Sequence, residues 1–128
     1  MKTIEVVAAI IKENDTILAT RRGYGEFIIM WEFPGGKIEI GETREEALMR
    51  EIKEELSITI SIDQFVTTID YDYPNFHLTM HCFLCTQVNG IFTLNEHNDA
   101  KWIHPSELNE LDWLPADIEI LEELKKLL

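Results

Sequence analysis

The fourteen residues Thr-Arg-Glu-Glu-Ala-Leu-Met-Arg-Glu-Ile-Lys-Glu-Glu-Leu, numbered 43–56, constrain this chain more than any other stretch. Thr43 offers a cap-type hydroxyl, and Glu46 stands three residues later, the spacing of a capping box. A helix over 44–56 is predicted. At about 100° per residue, Leu48, Ile52 and Leu56 form one apolar stripe that faces a core. Glu51, Glu54 and Glu55 fill an arc of about 100° beside that stripe. Like charges at these spacings cost a helix about 0.2–0.5 kcal/mol per pair in water. In a partly closed cleft the repulsion climbs toward about 4 kcal/mol at close range. Either this face lies in open solvent, or something positive offsets it.

The loop ahead of the helix bears on that choice. Pro34-Gly35-Gly36 lets the backbone approach a ligand closely and exposes carbonyl oxygens. Carboxylates beside bare carbonyls make a hard oxygen set, which suits Mg²⁺ or Mn²⁺. Arg50 sits four residues from both Glu46 and Glu54 and can orient one carboxylate. A solvated acidic face is the competing reading of the helix alone; the glycine loop favours the ligand reading.

Charge narrows the partners. Asp and Glu number 24 against 11 Lys and Arg, a formal net charge of -13. Such a surface repels nucleic-acid polymers and anionic membranes, but accepts a polyphosphate when a divalent cation bridges the two. The 128 residues make a single domain, 1–128, of globular composition. No run reaches the roughly 18 apolar residues of a membrane span. The opening run, broken by Glu5 and ending at Lys12 and Glu13, reads as a buried strand and not as a secretory leader. Two cysteines build no disulfide framework, so a cytoplasmic protein is expected.

Strands are predicted over 4–12, 16–20, 37–40, 58–69, 77–88 and 100–103, with a short apolar run at 31–33. Turns are expected at Asn14-Asp15, around Gly23 and Gly25, over 70–74, and at Asn89-Gly90 as a hairpin. A helical turn opens at 105–108. A final helix begins at Pro115, with Ile118, Leu121, Leu124 and Leu128 at helical spacing. Strands and helices mix without regular alternation, so the class is α+β with a mixed sheet.

His77, His81, Cys82 and Cys85 invite a zinc site. On a strand Cys82 and Cys85 point to opposite sides, and His77 to Cys85 spans nearly 27 Å at about 3.3 Å per residue. Core packing and a solvent face explain them better.

Gly36, Glu42, Arg50, Glu51, Ile52, Glu54, Glu55 and Ile58 match a longer pattern. A glycine, five residues, a glutamate, seven residues, then Arg-Glu-aliphatic-x-Glu-Glu-x-Gly-aliphatic is the Nudix box. Ser57 stands where the box has its last glycine, a departure at the helix end and not among the carboxylates. Trp31-Glu32-Phe33-Pro34-Gly35-Gly36-Lys37, Thr20-Arg21-Arg22 and Pro115-Ala116-Asp117 resemble the MutT-like branch. The opening residues, with Pro115-Ala116-Asp117-Ile118, are most similar to the bacterial CTP pyrophosphohydrolases within it.

The resemblance implies a Nudix fold, a mixed β-sheet sandwiched between helices. It implies a Mg²⁺-dependent hydrolase, with Mn²⁺ as substitute, that converts a nucleoside triphosphate to monophosphate and pyrophosphate. The substrate would be (d)CTP-like or an oxidised purine nucleotide such as 8-oxo-dGTP. A nucleoside diphosphate sugar hydrolase and a non-catalytic nucleotide-binding module are the alternatives; retention of Glu51, Glu54 and Glu55 favours catalysis. By the same resemblance Gly35, Glu51, Glu54 and Glu55 hold metal, and Glu51 takes a proton from water. Arg50 orients carboxylates, Glu42 supports the loop, and Glu96 is a further ligand or base. Arg22 and Lys37 meet phosphates, while Glu32, Phe33, Pro34, Phe76 and Asp117 meet the nucleotide. An ionised Asp117 only accepts hydrogen bonds, so it is expected to favour a donor-rich base edge. A small nucleotide is the expected partner, and the protein a monomer or homodimer.

Overall fold

The computed structural model describes residues 1–23, 25 and 28–127. Among them the order is β1 (Lys2–Glu13), β2 (Thr16–Arg22), β3 (Trp31–Glu32), β4 (Gly35–Lys37), α1 (Arg44–Leu56), β5 (Ile58–Tyr73), β6 (Phe76–Gly90) and β7 (His97–Ile103). A 3₁₀ segment, Pro105–Glu110, then leads to α2 (Pro115–Leu127). The sheet is mixed, as expected. β1 runs parallel to β6 from Lys2↔Phe76 to Ile11↔Cys85. It pairs antiparallel with β4 through Val7↔Gly36, and with β2 through Lys12↔Ile17. β2 in turn lies between β3 and β7.

Period two along β1 divides the core. Val7, Ala9 and Ile11 pack with Leu48, Ile52 and Leu56 of α1. Ala8 and Ile10 pack on the other face with Ile120, Leu121 and Leu124 of α2. Because both faces are covered, β1 reads as a nearly continuous apolar run. Leu48, Ile52 and Leu56 are fully buried, each worth about 1.5–3 kcal/mol, and this stripe fixes which way α1 turns its glutamates. Cys82 joins the α2 side and Cys85 the α1 side.

Both ends of α1 are closed. Thr43 Oγ1 accepts the Glu46 amide at 3.1 Å, and Glu46 Oε1 accepts the Thr43 amide at 2.9 Å. Ser57 adopts the left-handed conformation itself, with φ 60°, and donates its N–H to the Lys53 carbonyl. Asn95 Nδ2 reaches Ser57 Oγ and the Glu54 carbonyl, each at 2.9 Å. The missing glycine therefore leaves the helix end intact.

Several local expectations need correction. Asn89-Gly90 makes no hairpin. Gly90, at φ +99°, ends β6 opposite Ile58, and the chain then crosses the end of α1 through Thr93 N–H to the Leu56 carbonyl. The turn placed at 70–74 is strand through Tyr73, since Tyr73 packs inward while Asp70 and Asp72 face out. The strand placed at 37–40 is β4, Gly35–Lys37; Ile40 is fully exposed, so its alternation misleads. On α2, Ala116, Asp117, Ile120, Leu121 and Leu124 are buried and Ile118 is half exposed, because the helix packs a face rotated from the expected stripe. Leu128 lies outside the described residues. No described helix is long and apolar enough to cross a membrane.

Candidate active site

β4 brings the Gly35-Gly36 backbone against α1. At Gly36 a Cβ would fall on the Glu51 carboxylate, and at Gly35 on the Val7 carbonyl. Only glycine permits this approach, so the loop and the helix carboxylates share one wall. Glu51, Glu54, Glu55 and Glu96 line a cleft of about 540 Å³ with Gly35, Gly36 and Lys37.

Arg50 anchors the cleft. Its Nε and Nη2 donate to Glu42 at 2.7 and 2.9 Å, Nη1 to Glu51 Oε1 at 2.9 Å, and Nη2 to the Lys37 carbonyl at 3.0 Å. The i+4 partner Glu54 is more distant, at 3.4 Å, and Glu46 is spent on the helix cap. The planar fork thus ties the loop to the helix. The Arg50 guanidinium and the Glu39 amide hold the Glu42 carboxyl down at about 2.

Glu55 is the deepest of the acids, with a side chain 4% exposed. Its Oε2 has no hydrogen-bond partner among the described residues. Burial, with the charges of Glu32, Glu51 and Glu96 behind it, pushes Glu55 up to about 9, and the Gly35 amide only partly opposes this. Glu51 is also raised, chiefly by burial, against the pull of Arg50. An orphaned carboxyl oxygen is what a hard divalent cation would satisfy, while among the described residues no three His, Cys, Asp or Glu side chains are already gathered around one point.

Glu32 sits between two spaces. Arg22 Nε donates to its Oε1 at 3.0 Å, and His97 Nε2 meets its Oε2 at 2.9 Å. The same His97 nitrogen lies 3.7 Å from Glu55 Oε1. Beyond Arg22 and Glu32 opens an apolar cavity of about 140 Å³, lined by Phe33, Tyr73, Phe76, Leu78, Met80, Leu114 and Asp117. Phe33 stacks on Trp113 at 4.6 Å, and Phe76 on Tyr73 at 5.1 Å, so both rings are held by neighbours.

Asp117 reaches this cavity because the first turn of α2 is pinned to β3, with Leu114 N–H donating to the Trp31 carbonyl at 2.9 Å. Asp117 Oδ2 accepts the Phe33 amide at 2.9 Å. The expectation of an ionised side chain needs correction: burial, with Glu32 nearby, pushes Asp117 up to about 8. A neutral carboxyl both donates and accepts.

The structure gathers Glu51, Glu54, Glu55, Glu96, Lys37 and Gly35 on the cleft, and Phe33, Phe76 and Asp117 on the cavity; Arg22, Glu32 and Gly35 line both. Pro34 lines neither. It is buried behind the loop, where its carbonyl accepts the Ala9 amide at 2.8 Å. Sequence reasoning missed His97 and Tyr73. The signal for His97 was its place beside Glu96.

A family model for the NUDIX domain matches residues 1–124. The chain is 36% identical over 123 residues to a CTP pyrophosphohydrolase of Escherichia coli K12, covering 95% of this chain and 91% of that protein. It is 35% identical over 129 residues to an 8-oxo-dGTP diphosphatase of the same organism, covering 99% and 100%. The solution structure of the E. coli ORF135 protein superposes with a TM-score of 0.89 at 34% identity, covering 99% of this chain and 91% of the other.

Proposed function

Because the chain belongs to the NUDIX domain family, we propose that its acidic cleft hydrolyses nucleoside triphosphates to monophosphate and pyrophosphate, with Mg²⁺ or Mn²⁺ as cofactor. The observation that carries this reading is Glu55, a buried carboxyl with a bare oxygen in a wall of other acids. Such a group is costly unless a cation meets it. Glu51, Glu54, Glu55 and the Gly35 carbonyl would hold the ion, with Glu96 as a further carboxylate at the rim. A bound divalent ion neutralises phosphate charge and makes a bound water more acidic.

The chain's own groups do the rest. Arg22 lines both spaces, so a nucleotide with its base in the cavity runs its phosphates past Arg22 toward Lys37. Phe33 and Phe76 bound the base, and Asp117 reads its edge. Arg50 fixes one oxygen of Glu51 and burial raises that carboxyl's proton affinity, which suits it to take the proton of the attacking water. The neutral Asp117 matches an edge that mixes donors and acceptors, which cytosine and 8-oxoguanine both present. We therefore assign (d)CTP-like and 8-oxo-dGTP nucleotides as the substrate class, in line with the names of the two E. coli relatives.

The test is a triphosphate panel with Mg²⁺, scoring monophosphate and pyrophosphate. Turnover of cytidine or oxidised guanine triphosphates, abolished by chelation, supports the reading. No metal-dependent turnover across the panel removes it.

A further inference from the structure

Between the cavity and the cleft lies a row of side chains that the proposed chemistry does not use in full. β2 is flanked by β3 and β7, with Thr20 opposite Glu32 and Arg22 opposite His97. Glu32 and His97 therefore arrive from opposite sides of one strand and meet over its end. Glu32 is held at both oxygens, by Arg22 at 3.0 Å and by His97 Nε2 at 2.9 Å. Beyond hydrogen-bond length, the same nitrogen lies 3.7 Å from Glu55 Oε1, so the ring packs beside that carboxyl while bonding Glu32. A carboxylate oxygen accepts, so Nε2 carries the hydrogen.

The other ring nitrogen carries the argument. His97 has a side chain 4% exposed, and its Nδ1 has no hydrogen-bond partner among the described residues. A buried polar atom without a partner is costly, and here the ring accepts that cost to place Nε2 on the Glu32 carboxylate and beside the Glu55 carboxyl. A histidine recruited for packing alone would be served as well by an apolar side chain. We propose that His97 is a positioning residue: held by its bond to Glu32, which Arg22 holds in turn, its ring packs against the Glu55 carboxyl and limits how that carboxyl can turn for the cation. Groups that orient ligands from behind change metal affinity or activity by about 10–100-fold when removed.

This inference rests on the metal reading of the cleft, and one experiment separates the two. Mn²⁺ affinity is measured by the paramagnetic resonance of the free ion on the full chain without nucleotide, with melting temperature recorded for each variant. If the unmodified protein binds no Mn²⁺, the metal reading fails and takes this inference with it. If it binds, His97→Ala is expected to weaken Mn²⁺ by about 10-fold or more. His97→Gln sets an amide nitrogen near the Nε2 position and should stay within about 3-fold of the parent, whereas His97→Asn, whose amide matches Nδ1, should resemble His97→Ala. The Gln and Asn pair keeps the test sound should the alanine variant fold poorly. Kinetics supply a second readout. In a cycle of Glu32→Gln and His97→Ala, the double variant should lose little more in kcat/KM than the worse single one. Parental Mn²⁺ affinity in His97→Ala, equal losses in the Gln and Asn variants, or additive losses in the cycle each overturn the proposal.

Discussion

Glu51 presses its carboxylate against the Cα of Gly36, in the space where any other residue would carry a Cβ. Gly36→Ala must therefore push Glu51 aside while leaving the strand pairing of β4 in place. A displacement near 1 Å at a reacting group can cost about 100-fold. We expect kcat to fall by that order with a melting temperature close to the parent's. Gly35→Ala meets the Val7 carbonyl instead, an immovable backbone atom, and should lower the melting temperature as well.

Arg50→Lys keeps the charge and loses the fork. A lysine ammonium cannot hold Glu42 by two bonds while also reaching Glu51 and the Lys37 carbonyl. The expected result is a drop in kcat of about 10–100-fold, the range for groups that orient ligands from behind. Parental turnover in Arg50→Lys would show that charge alone suffices.

Glu55→Gln separates stability from metal binding. At neutral pH the metal-free Glu55 carboxyl holds its proton, and a glutamine amide has nearly its shape. Melting of the metal-free variant should match or exceed the parent's, while Mn²⁺ affinity falls at least about 100-fold. A large loss of metal-free stability would show that Glu55 is ionised there.

Metal-free stability should fall as pH rises. Glu55 binds its proton up to about 9 in the folded protein, against 4.5 for an ordinary glutamate. Between those values the folded state keeps a proton that the unfolded chain has released, so unfolding becomes easier with each step upward. A divalent cation must displace the same proton. Mg²⁺ binding should therefore release protons and tighten toward pH 9, which calorimetry in buffers of different ionisation enthalpy reads directly.

Asp117→Asn should be nearly silent at neutral pH and visible in base. The folded carboxyl titrates at about 8, against 3.8 for an ordinary aspartate, so its contribution fades upward through that range. Asparagine keeps an acceptor for the Phe33 amide and does not titrate. Between about pH 6 and pH 9 the variant should lose less melting temperature than the parent. Relative turnover of cytidine and 8-oxoguanine substrates should agree between the two proteins near neutrality and diverge above pH 8.

The helix at 44–56 was legible because cap, stripe and acidic arc agree, and the structure returns the same residues, 44 to 56. The mixed sheet between helices was legible at the level of class. The pairing was less so. Asn89-Gly90 carries a hairpin signal in any sequence, yet here the strand ends against Ser57, a contact 30-odd residues away that no local pattern reports. Ile118 shows the same limit, since spacing fixes a helix but not which face the sheet will cover. At the site, the box spacing placed Glu51, Glu54 and Glu55 on one wall, because little more than a single turn of one helix sets it. His97 was invisible for the opposite reason. Its partner Glu32 and its neighbour Glu55 come from two other elements: the register of β2 with β3 and β7 brings in Glu32, and α1 supplies Glu55. Protonation was illegible too, because desolvation depends on what packs around Asp117 and not on its neighbours in the chain.

The long parallel pairing of β1 with β6 has a consequence for biosynthesis. After its short antiparallel pairings with β2 and β4, β1 meets its long parallel partner only about seventy residues further along the chain, when 76–85 have emerged. Until then the apolar ribbon Val6 to Ile11 has only the three-residue pairing with β4 along one edge, and its other edge waits for β6. Closing so large a loop is also the slow event in refolding from denaturant. A segment that delays completion in this way is where chaperone contact during translation would concentrate.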